Sequence, residues 1–187
     1  QSGIEDYNFG TGLTSIAATG HVEGATTGIH ANNTGSATDL VIETASVTGG
    51  LKGISAANSA QGGTRIVATG TVEGTDGVGI SAYNQGSATG LMIEAAGSKG
   101  GNHGIEAYNV GTGSTWILAT GAAEGTSGAG IVAVNGGNAG HMTIETAAVT
   151  GGRDGIWAVN QGIGVTTIMA SGPVTGTTGD GVLAYNS

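Results

Sequence analysis

A six-residue phrase, Gly-Ile-x-Ala-x-Asn, starts at Gly3, Gly28, Gly53, Gly79, Gly104, Gly130, Gly155 and Gly181, in steps of 25 or 26 residues. A fixed period of this length is the mark of a solenoid, in which each repeat buries its apolar face only against its neighbours. Within the phrase the second position is Ile in seven copies and Val182 in the last, the fourth is Ala in all but the first copy, which has Asp6, and the sixth is always Asn. Fixed positions alternate with variable ones, which is the period of a β-strand with one face buried. A second apolar phrase carries Ile16, Ile42, Ile66, Ile93, Ile117, Ile144 and Ile168. A third carries Val22, Val47, Val72, Ser98, Ala123, Val149 and Val174. Three short strands per repeat, separated by Gly-, Thr- and Asn-rich corners, describe a three-sided coil. No helical stripe with start and stop signals occurs, so helical and leucine-rich repeats are excluded.

The expected fold is therefore all-β: a right-handed, single-stranded parallel β-helix of about seven coils, occupying residues 1–187 as one segment cut from a longer repeat region. At ~4.8 Å per coil the stack would be ~34 Å long. Composition alone points elsewhere, since Leu, Ile, Val and Phe make up only 36 of 187 residues and Gly 40, values that suit a low-complexity chain. Positional order overrules that inference. Each coil needs only a few apolar side chains, because its core is one Ile, one Ala, one Asn and a second Ile wide.

Asn8, Asn33, Asn58, Asn84, Asn109, Asn135, Asn160 and Asn186 share the inward parity of the Ile and Ala before them. A lone buried amide costs a few kcal/mol. Stacked in a ladder, each carboxamide would donate to the one above, accept from the one below and tie the corner backbone. Eight copies of one residue mark structure, because an active site needs only one.

A second period spans two coils. From Asn to the next Ile there are eight residues in the coils starting at Gly3, Gly53, Gly104 and Gly155, and nine in those starting at Gly28, Gly79 and Gly130. Glu43, Glu94 and Glu145 follow the Ile only in the second kind, and Glu23, Glu73 and Glu124 occur only in the first. Carboxylates in successive coils would stand ~4.8 Å apart. Alternation moves them to about 10 Å, roughly one Debye length at 0.1 M salt.

The phrases "GI-x-A-x-N" and "I-x-A-T-G-x-V-x-G" resemble the repetitive passenger regions of bacterial autotransporters, secreted through the outer membrane and displayed as β-helical stalks. That resemblance covers the whole chain and implies an extracellular or cell-surface structural stalk, engaged in adhesion to a host-cell, glycan or matrix ligand. The absence of cysteine suits passage through an oxidising periplasm. The chain departs from a complete member of that group in lacking a signal peptide, a capping segment and a membrane barrel, so it reads as a processed or excised piece. Its first and last phrases lie at its termini, and the open coil ends this implies would favour end-to-end self-association.

No enzyme is expected, and no catalytic residue, cofactor or metal site is assigned. The alternative is a carbohydrate-active β-helix of the lyase or hydrolase kind, which would need clustered carboxylates beside a cation. The only basic residues are Lys52, Arg65, Lys99 and Arg153, none in such a motif, and Asp39, Asp76, Asp154 and Asp180 read as solvated turn residues. His21, His30, His103 and His141 lack zinc-site spacing and read as surface residues. A net charge of −9 disfavours nucleic acid, and no apolar run reaches membrane-spanning length. An ice-binding or filament-forming solenoid is a weaker alternative, because the 26 Thr form no sustained T-x-T column. The outward positions of the first phrase supply a candidate interaction surface at Tyr83, Tyr108, Val132, Val134, Trp157 and Val159.

Overall fold

The computed structural model describes all 187 residues and contains strands, turns and bends only. The first coil comprises β1 (Ser2–Asn8), β2 (Thr11–Ala18) and β3 (Val22–Gly24), and the second β4 (Thr27–Asn33), β5 (Ser36–Thr44) and β6 (Val47–Gly49). The next four coils have two strands each: β7 (Lys52–Asn58) and β8 (Thr64–Gly74); β9 (Val78–Asn84) and β10 (Leu91–Gly100); β11 (Ile105–Asn109) and β12 (Thr115–Gly125); β13 (Ile131–Asn135) and β14 (Met142–Gly151). The stack finishes with β15 (Ile156–Asn160), β16 (Thr166–Ala170), β17 (Val174–Gly176) and β18 (Val182–Asn186). Every pairing is parallel and joins the same phrase in adjacent coils. The chain is a parallel β-solenoid of about seven coils.

The three sides are carried by two hydrogen-bonded sheets. One holds the eight copies of the Asn phrase, and the other joins the second and third phrases. In the four central coils a single long strand runs around the corner, with a register shift between Ala95 and Gly97 or Ser98 and between Ala119 and Ala122. Only a few residues separate the second and third phrases. A bulge therefore bends the strand while pairing continues, where a wider corner would need a loop.

Columns form because the register never slips within the first sheet. Ile29, Ile54, Ile80, Ile105, Ile131 and Ile156 stack with no exposed surface, facing the equally buried Ile42, Ile66, Ile93, Ile117 and Ile144 of the second. Asp6 takes the Ala position in β1, opposite Ala31, where it is half-buried.

Glycine columns account for the composition. Gly24, Gly49, Gly74, Gly100, Gly125, Gly151 and Gly176 close the third side, where the chain folds back so tightly that a Cβ would overlap the carbonyl three or four residues ahead. Gly28, Gly53, Gly130 and Gly155 make room in the same way for the methyl groups of Val47, Val72, Val149 and Val174.

Candidate functional site

The buried Asn column is present, but its bonding differs from a carboxamide ladder. No Asn side chain bonds to another Asn. In the eight-residue corners Asn58 and Asn109 donate from Nδ2 to the carbonyls of Gly62 (2.9 Å) and Gly113 (2.8 Å), and their Oδ1 atoms accept from the N–H groups of Ala60 and Gly111. Asn8 and Asn160 repeat this pattern. The residue added in nine-residue corners carries the chain out of reach of that second bond. There Oδ1 of Asn33, Asn84 and Asn135 accepts instead from the hydroxyls of Thr14, Thr64 and Thr115 in the preceding coil, at 2.5 to 2.6 Å. These threonines alternate with Leu40, Leu91 and Met142 in one buried column. The two-coil period thus has a bonding cause inside the core as well as an electrostatic one outside.

The carboxylates are spaced as their sequence period requires. Glu43, Glu94 and Glu145 alternate with Val67 and Leu118 in one outward column of the second sheet. Lys99 separates Glu73 from Glu124, 3.9 Å from the Glu73 carboxylate.

Asp39, Asp76 and Asp180 are exposed, as turn residues are expected to be, and Asp154 departs from that expectation. Asp154 is buried, and its Oδ1 accepts the backbone N–H of Asp180 in the next coil. Asp39 does the same for Gly63, and the Nδ1 atoms of His103 and His141 accept from Ala129 and Val165. Those imidazoles consequently carry their proton on Nε2. A single residue type cannot keep the pairing going where corners widen, so carboxylates and imidazoles reach across one coil to do it.

The aromatic and apolar residues expected on the outside of the first sheet lie in two adjacent columns, confirmed by register. Tyr83 is exposed, and its ring sits 6.1 Å from that of half-buried Tyr108 at a tilt of 50°. Val134, Trp157 and Val159 are half-buried. Val132 is fully buried and leaves the interaction surface; it is flanked in its column by Glu106 and Trp157, whose long side chains can cover a short valine.

Beside the tyrosines is a cluster the sequence did not reveal. Lys52 Nζ donates to Ser81 Oγ (3.1 Å), and Ser81 in turn donates to Glu106 Oε2 (3.2 Å). The ammonium occupies the serine oxygen while the carboxylate takes its proton, which suits a polar contact platform better than a nucleophile. Burial, then the Glu106 charge, then Tyr83 push the Tyr108 hydroxyl above its ordinary pKa. No family model, curated protein or solved structure matches this chain.

Proposed function

We propose that this chain is part of an extracellular, surface-displayed stalk of the bacterial autotransporter type, holding an interaction surface away from the cell. The observation that carries the reading is the unbroken register through all eight strands of the first sheet, in which the Asn column is complete and the Ile and Ala columns change only at Val182 and Asp6. A stack in which each coil bonds the next by backbone pairing and by corner side chains has the form of a spacer: its length scales with coil number and its sides repeat. Adhesion is assigned to the first sheet, where the Tyr83–Tyr108 pair lies beside the Lys52–Ser81–Glu106 chain. Aromatic faces next to hydrogen-bonding groups are the composition of contact surfaces. Antibodies raised against the chain should label intact cells that produce it. Labelling only after lysis would refute surface display.

A further inference from the structure

We propose that the corner between the first and second sheets holds a binding groove for a linear, neutral glycan, laid along the solenoid axis. The groove has a volume of about 550 Å³ and crosses five successive coils, from Leu13 at one end to Trp116 at the other. Its origin lies in one corner column. The residues preceding the Thr/Leu column are Leu13, Asp39, Gly63, Gly90 and Ser114, so two adjacent coils present no side chain and leave a trough. Arg65 and Met92 stand on its second-sheet side.

The lining has the chemistry of sugar recognition. Trp116 is held in place because its indole N–H is already donated to Glu145 (3.1 Å), so the ring offers an apolar surface at fixed position. Asp39 uses Oδ1 on the Gly63 N–H, and no bond engages its second oxygen, which is free to accept from a hydroxyl. The Arg65 guanidinium is neutralised by Glu43, and the chain carries a net charge of −9. An anionic chain would therefore be repelled at long range and find no free cation in the groove. The spacing selects further. Coils advance by ~4.8 Å, close to the advance of one pyranose ring along an extended polysaccharide, whereas a peptide strand advances ~3.3 Å per residue and falls out of step. Five coils present about four such steps, or ~19 Å.

The inference goes beyond the adhesion reading, because the groove shares no residue with the first-sheet surface; it is tested by binding to the isolated chain and can fail while the stalk and the first-sheet surface stand. The probes are the neutral hexasaccharides cellohexaose, maltohexaose, mannohexaose and hexa-N-acetylchitohexaose, with hexagalacturonate as an anionic control, followed by calorimetry and tryptophan emission. At least one neutral hexasaccharide should bind, its disaccharide at least tenfold more weakly, and hexagalacturonate not measurably. Gly90→Val fills the trough at a position where a Cβ meets nothing nearer than the Ser114 carbonyl oxygen at 3.5 Å, so it should abolish binding while leaving the circular dichroism unchanged. Trp116→Ala should weaken binding at least tenfold and Trp157→Ala, on the first sheet, should not. Failure of all four neutral probes, equal binding of the anionic one, or binding indifferent to both Gly90→Val and Trp116→Ala would overturn the proposal.

Discussion

Removing one coil should harm this protein more than removing two. Deleting residues 53–78 joins Lys52 to Gly79 without breaking a phrase, but sets two nine-residue coils on each other. Leu40 then meets Leu91 where each now packs on Thr64, an overpacking that costs about 1–3 kcal/mol. Asn84 loses the Thr64 hydroxyl from its Oδ1 and gains no donor, a further loss of about 1–3 kcal/mol for a buried acceptor left unpaired. Glu43 comes to face Glu94 at ~4.8 Å, worth about 1 kcal/mol of repulsion even at the dielectric constant of water. Together these penalties are on the order of 3–7 kcal/mol, a large share of the 5–15 kcal/mol that holds an ordinary domain folded. Deleting residues 53–103 instead joins Lys52 to Gly104 and restores alternation: Leu40 meets Thr115, Glu43 meets Leu118, and Asn135 keeps its threonine. Urea unfolding followed by far-ultraviolet circular dichroism compares the two through their midpoints, which stay meaningful if the solenoid does not unfold in one step. Nearest-neighbour stacking alone ranks the longer variant as the more stable. The bonding described here reverses that order, and a higher midpoint for the single-coil deletion would refute it.

Three further outcomes follow from particular sites. Thr44 Oγ1 is buried without a partner in a column otherwise filled largely by alanine, so Thr44→Val should raise stability by about 1 kcal/mol, read as an increase in the urea midpoint. Gly151→Ala drives a methyl group into the Asp154 carbonyl and should destabilise by more than about 2 kcal/mol, whereas Gly20→Ala enters open space and should be neutral or stabilise by about 0.4–1 kcal/mol, both measured by thermal unfolding. Ultraviolet titration should place Tyr108 above the ordinary tyrosine range, and Glu106→Gln should lower it only part of the way, because burial is the larger cause; a return to the ordinary value would reverse that ranking.

The stack was legible in the sequence because its period, its strand alternation and its inward columns are all one-dimensional. Where the sequence reading diverged, the deciding quantity was a corner path. Asn33 and Asn58 are the same residue in the same phrase, yet one accepts from a threonine nineteen residues earlier and the other from an N–H two residues later. The alternation of Thr64, Leu91 and Thr115 was visible in the sequence, but a threonine following a Gly- or Ser-bearing corner reads as a turn residue. Val132 looked like surface by parity, because burial of an outward position depends on the size of its neighbours in adjacent coils. Lys52, Ser81 and Glu106 are 29 and 25 residues apart and meet only through the stacking itself.

The stack can be measured directly, since the chain has no cysteine and two cysteines introduced at exposed positions would be the only spin-label sites. Glu23, Thr150 and Thr175 are exposed and occupy one outward column of the third side, five and six coils apart. Pulsed dipolar spectroscopy on Glu23→Cys/Thr150→Cys and Glu23→Cys/Thr175→Cys should give narrow distributions centred near ~24 and ~29 Å, one coil apart. Equal distances, a shorter second distance or a broad featureless distribution would contradict one coil per repeat and, with it, the solenoid.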